Sequence, residues 1–269
     1  MNRKIVFSLI TLIILTSIGM FLNRKLIISN KEAAHSTPKV YTTLNVGTSA
    51  DLQPFSFRNE TDEIVGFDID VIKEVCKRIN VKMELIDRPF SMLIPQIQIG
   101  QIDAVAAGMT PSPEREKNLR FTKPHLKENP LVIVTHKEKM SAIKNVQDLA
   151  GKSVIVNTGY TADIHISQFP KIQLVRLPKV WDAMIALDNN KADAFVTANL
   201  TLKPYNLGLE TKDSNNKYTI IAIEGTSEAS ALGISKKIPD ELFEKIQKAL
   251  DDMEKDGTLK ALKHKWKME

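Results

Sequence analysis

Side chains able to carry chemistry are few in this sequence and lie far apart. The five histidines, His35, His125, His136, His165 and His264, show no spacing that would let them share a metal ion. The single cysteine, Cys76, falls on one helical stripe with Ile69, Ile72 and Ile79, so it reads as a small buried hydrophobe and leaves no intrachain disulfide. No nucleophile–base pair is present, and no catalytic residue, metal or other cofactor is expected. Asp51 and Asp163, each ending a small-residue turn, read as helix caps. What remains is a set of small and polar residues where four apolar runs stop: Thr48-Ser49, Ala107-Gly108-Met109-Thr110, Asn157 to Thr161, and Thr197-Ala198-Asn199. Open α/β sheets bind ligands in the crevice beyond the carboxyl ends of their strands, where small residues let backbone approach. Ordinary strand-to-helix turns favour the same residue types, so each run alone is ambiguous. Together they point to non-covalent binding of a small ligand in a cleft.

The elements that would position these residues alternate along the chain. LNVGTSAD begins as a strand, FDIDVIKEVCKRI has the 3.6 period of an amphipathic helix, and VKMELID reads as a second strand. SMLIPQIQIG is a helix closed by Gly100, and IDAVAAG is a buried strand. Such alternation predicts an α/β fold with a parallel or mixed sheet. The pattern then recurs: MLIPQIQIGQIDAVAAGMT and DAMIALDNNKADAFVTANLT superpose with Asp103 over Asp193, and VGTSAD has a counterpart in VNTGYTAD. Two similarly built lobes follow. The extended apolar stretches 129–137 and 220–235 are expected to cross between them, pairing as a two-strand hinge. The second lobe is then an insertion, and the helical C-terminus returns to the first.

The N-terminus is different in kind. Arg3 and Lys4 precede residues 5–22, an uncharged run that reads as the apolar part of an export signal or as an uncleaved membrane anchor. The expected organisation is a signal or anchor over 1–25, a tether over 26–43, a first lobe over 44–130 and 231–269, and a second over 135–222. The protein is expected outside the cytoplasm, periplasmic or membrane-tethered. Of the net charge of +5, Arg3, Lys4, Arg24 and Lys25 lie in residues 1–30, which contain no acid, so the rest carries only +1. That balance lacks the footprint of a nucleic-acid binder.

The blocks VGTSADLQPFSF, IVGFDIDVIKEVCKRI, PFSMLIPQIQIGQIDAVAAGMTPSPEREKNLRFTKPH, DLAGKSVIVNTGYTAD and LFEKIQKALDDMEKDGTLKALKHKW, in this order, resemble the extracellular solute-binding proteins of amino-acid ABC importers. The resemblance runs from about Leu44 to Trp266 and implies the type II periplasmic-binding fold, with two α/β lobes joined by a two-strand hinge. By position it implies that Arg115 holds a ligand carboxylate, a role suited to the paired donors of a guanidinium. The backbone of Thr161 and the Thr110 side chain or amide would complete that site. The Gly108 carbonyl and Thr110 hydroxyl would accept from a ligand ammonium, and Leu52 and Phe90 would wall its side chain. Without the resemblance, Arg115 reads as a surface residue in a charged helix start.

Two departures from the family pattern bear on the ligand. Many relatives carry an ammonium-binding carboxylate at the position of Ala198, and those preferring basic amino acids often carry an acid at that of Ser49. Asn157, Tyr160 and Asn199 are the expected substitutes for the first. The implied function is reception of a small, carboxylate-bearing amino acid and its delivery to an inner-membrane ABC permease by a monomer. A dehydratase-like cleft enzyme on the same fold would need an acid in the cleft, and a sensor or surface protein would draw its support from an uncleaved anchor.

Overall fold

The computed structural model describes residues 41–211 and 216–268. The expected export segment, and the tether as far as residue 40, lie outside them. In chain order the strands and helices of the first part are β1 (Thr43–Thr48), β2 (Asp51–Leu52), β3 (Ser56–Arg58), β4 (Ile64–Val65), α1 (Phe67–Arg78), β5 (Lys82–Asp87), α2 (Phe90–Ile99), β6 (Ala104–Val105), α3 (Pro113–Glu116), β7 (Leu119–Phe121) and β8 (Leu126–Asn129). There follow β9 (Leu131–His136), β10 (Ser153–Asn157), α4 (Thr161–Ile166), β11 (Gln173–Leu177), α5 (Val180–Asp188), β12 (Ala194–Ala198) and β13 (Tyr218–Ala222). The last elements are β14 (Glu228–Ser230), β15 (Gly233–Ser235), α6 (Asp240–Lys255) and α7 (Thr258–Lys265).

Two five-stranded sheets form, in the orders β5-β1-β6-β15-β7 and β11-β10-β12-β9-β13. In the first, β1 runs parallel to β5 and β6, and β15 runs antiparallel to β6 and β7. In the second, β10 runs parallel to β11 and β12, and β9 runs antiparallel to β12 and β13. Strand positions and directions match, although the fourth strand comes last in chain order in the first sheet (β15) and first in the second (β9), and the repeat seen in the sequence has a structural basis. Asp103, just before β6, accepts from the Asn45 backbone N–H with Oδ2 at 3.0 Å and donates its own N–H to the Asn45 carbonyl at 2.7 Å. Asp193, just before β12, does the same with Ser153, at 3.0 and 2.8 Å. In each lobe an aspartate latches the first strand to the third, and the following alanine, Ala104 or Ala194, starts the parallel register opposite Val46 or Val154. The fold is therefore two-lobed α/β.

Each lobe has its own apolar core. Leu93, Ile97, Ile102, Val105 and Leu119 fill the first beneath α2, and Ile133, Val154, Val156, Ile166 and Val196 fill the second. Every residue of β9 is buried, as a central strand covered on both faces requires. At the C-terminal end, α6 and α7 pack on α1, and the Trp266 indole donates to Asp70 at 2.8 Å.

The crossing between lobes differs in detail from expectation. β9 and β13 do pair, but inside the second sheet, because the buried β9 needs a partner on each edge. The strands that connect the lobes are the adjoining β8 and β14, a short antiparallel ribbon with Asn129 opposite Glu228 and Leu126 opposite Ser230. The apolar run in the sequence marks the sheet, and the ribbon beside it is polar.

Candidate functional site

A cavity of about 40 Å³ lies between the lobes. The first lobe lines it with Leu52, Phe90, Gly108, Thr110 and Arg115. The second contributes Asn157, Tyr160, Thr161 and Ala198, and the ribbon contributes Asn129 and Glu228.

Arg115 is 5% exposed and lines the cavity, unlike the surface position its charged neighbours suggest without the resemblance. Pro111 and Pro113 end the extended segment after β6 and start α3, whose N-cap Ser112 accepts from the Arg115 N–H at 3.3 Å. This one-turn helix turns Arg115 inward. Its Nη1 donates to the Thr110 carbonyl at 2.7 Å, its Nη2 to the Gly159 carbonyl at 3.0 Å, and its guanidinium lies 5.4 Å from the Phe90 ring centre. Burial pulls the guanidinium pKa down to about 10, with Glu228 and Tyr160 acting in the opposite sense, so Arg115 stays cationic at neutral pH.

The loop after β6 is held by the GFDIDV segment. Asp68, fully buried in the first turn of α1, accepts the Gly108 N–H at 2.6 Å with Oδ2 and meets His125 Nε2 at 2.9 Å with Oδ1. One carboxylate thus ties the binding loop to the segment leading into β8. Gly108 has φ +62°, and a Cβ there would lie 3.0 Å from Leu52 and 3.2 Å from Phe55, so only glycine fits this turn without strain. Two residues later the Thr110 hydroxyl donates to Glu228 Oε2 at 2.7 Å, linking loop to ribbon.

On the second lobe, Asn157 ends β10, Tyr160 sits in the turn that follows, and Thr161 starts α4. The Asn157 amide donates to the Leu177 carbonyl at 3.2 Å, while its Oδ1 is buried without a partner. The Tyr160 hydroxyl is also buried and unpartnered, and its ring stacks at a tilt on Phe90 across the cleft, 4.4 Å between centroids. Burial, reinforced by Asp51, raises the Tyr160 phenol well above its usual pKa, so it is a neutral donor. Asp163 does not cap α4 through its N-cap position, as expected of it. From the first turn it reaches back to the Gly159 N–H at 3.0 Å and so fixes the carbonyl that Arg115 meets.

The structure brings together eight of the ten residues expected at the site. Ser49 does not line the cavity: its hydroxyl donates to Asp51 at 2.6 Å. Asp51 lies in β2 and is likewise no helix cap. Asn199 is turned away as well, because its Oδ1 accepts from the Leu209 N–H at 2.9 Å and its amide faces Glu210. Glu228 and Asn129 were missed in the sequence because the β8–β14 pairing that brings them to the cavity joins residues about a hundred positions apart. A signal was available, since Glu228 is the one charged residue between Gly225 and Ser235. Among the described residues no group of His, Cys, Asp and Glu is placed to hold a metal ion.

Comparison with known proteins agrees with this architecture. Residues 44–269 match the model of the bacterial extracellular solute-binding proteins, family 3. The chain is 34% identical over 232 residues to the ABC transporter arginine-binding protein 1 of Escherichia coli (strain K12), covering 83% of this chain and 90% of that one. Among solved structures it is similar to an ancestral arginine-binding protein bound to arginine, with 36% identity, a TM-score of 0.76 and coverage of 84% and 98%. An ancestral arginine-binding protein bound to glutamine matches with 35% identity, a TM-score of 0.76 and coverage of 86% and 100%. The described residues carry the fold of such proteins, and this chain belongs to the bacterial extracellular solute-binding proteins, family 3.

Proposed function

We propose that this protein is the substrate-binding component of an amino-acid ABC importer, closing on a small amino acid between its lobes and delivering it to an inner-membrane permease. The observation that carries this reading is Arg115: a buried, cationic guanidinium that lines the cavity and reaches both lobes. A ligand carboxylate is the chemistry it suits, with the backbone of Thr161 and the side chain of Thr110 beside it. The Gly108 carbonyl and Thr110 hydroxyl are the acceptors offered to an ammonium, and Leu52 and Phe90 are the apolar walls. The relatives named above for arginine binding, and the neighbour holding glutamine, support an amino acid as the ligand class. The protein acts as a monomer, exported by residues 1–25, and is a binding protein rather than an enzyme.

The test is isothermal titration of the exported part with each of the twenty L-amino acids. Saturable binding at micromolar concentrations or below is expected for at least one. A folded sample that binds none would overturn the reading.

A further inference from the structure

We propose that Glu228, on the connecting ribbon, is the carboxylate that receives the ligand's α-ammonium group, and that the ligand is an α-amino acid with an uncharged side chain. This rests on the amino-acid reading above and deepens it. Three observations carry it.

The first is the state of Glu228 itself. It is 8% exposed and lines the cavity; among the described residues it forms no ion pair, and its one side-chain hydrogen bond is from the Thr110 hydroxyl. A buried carboxylate that feels Arg115 only through space, with no cation in direct contact, is costly, and a ligand cation beside it lowers that cost. The second is its neighbourhood. Through Thr110 it is tied to the loop that holds Gly108, so carboxylate, hydroxyl and loop belong to one wall. Ala198, on the opposite lobe, supplies no charge. The third is the charge balance of the lining. Among the described residues, Arg115 and Glu228 are its only formally charged members, one of each sign.

That balance matches a zwitterion. A cationic side chain would bring a second positive charge into a cavity whose single carboxylate is already engaged. An anionic one would compete for Arg115. Asp51 lies outside the lining and is bonded to Ser49. The groups left to meet the side chain are neutral: Asn157 Oδ1 and the Tyr160 hydroxyl, both buried without a partner, and the faces of Leu52 and Phe90. An acceptor and a donor left open in this way suit a polar, uncharged side chain.

The test compares wild type with Glu228→Gln by titration with the twenty L-amino acids, and with the α-hydroxy acid matching the tightest binder. Wild type should bind an uncharged amino acid at least tenfold more tightly than L-arginine or L-lysine. Glu228→Gln should weaken amino-acid binding by roughly 30-fold or more, while leaving the hydroxy acid, which has no ammonium, within threefold of its wild-type value. Equal effects on both ligands, or none on either, would overturn the assignment of Glu228 while leaving the importer reading intact. Tighter binding of arginine or lysine would overturn the uncharged side chain. Absence of binding by wild type would overturn the amino-acid reading and this one with it. Should Glu228→Gln not fold, Glu228→Asp keeps the charge but withdraws it from the cavity; it too should weaken the amino acid selectively, and an equal effect on both ligands overturns the proposal.

Discussion

The guanidinium of Arg115 meets the carbonyl of Gly159 across the cleft, at 3.0 Å, while its other terminal nitrogen holds the Thr110 carbonyl of its own lobe. One side chain therefore serves both as the cation of the cavity and as a clasp between lobes. Arg115→Ala should abolish measurable amino-acid binding in titration calorimetry, a loss of roughly 30-fold or more. Arg115→Lys should not restore it, since a point charge with rotating donors cannot replace a planar fork reaching two carbonyls.

Gly108→Ala should destabilise the protein by about 1–3 kcal/mol, because the new Cβ occupies a positive-φ residue packed against Leu52 and Phe55. Urea unfolding followed by circular dichroism measures this. The same variant should weaken ligand binding, since the strained loop also carries Thr110.

Asp256 follows α6, where it pairs with Arg78 at 2.8 Å and accepts from the Thr258 N–H at 2.9 Å. The Thr258 hydroxyl and N–H and the Arg78 guanidinium lower its pKa to about 2. The folded value lies below the unfolded value of about 3.9, so its contribution is fully present above about pH 4 and is lost as pH falls through about 2. Asp256→Asn keeps the acceptor for Thr258 but not the charge. It should lower Tm slightly at pH 7, by roughly 1–3 °C, and the difference from wild type should close between pH 4 and pH 2 in thermal melts.

Cys76 is 2% exposed in α1, and burial pushes its thiol up to about 11. At pH 8 the native thiol should react with a disulfide reagent more slowly than in guanidinium-unfolded protein, by roughly two orders of magnitude from its thiolate fraction alone. Release of thionitrobenzoate followed by absorbance reads both rates. Rapid labelling of native protein would show that α1 opens locally.

Features that follow from local pattern were legible in the residues alone. Apolar periodicity is a short-range property, so the alternation of strands and helices and the repeat centred on Asp103 and Asp193 were legible, and the two latches to Asn45 and Ser153 explain why that repeat exists. The small residues after β6 and β10 were legible for the same reason: Gly108 and Tyr160 sit where strands stop. The direction of side chains and the meeting of distant segments emerged only on folding. Asn199 looked suited to the cavity until Leu209 and Glu210, folded back beside it, took up its amide. Arg115 looked like a surface charge on composition alone, and only the turn made by Pro111 and Pro113 points it inward. Glu228 reaches the cavity because β14 pairs with β8 from the other end of an inserted lobe, a contact that no local window contains. The architecture was written in periodicity, and the charge that faces Arg115 in the cavity was set by long-range strand pairing.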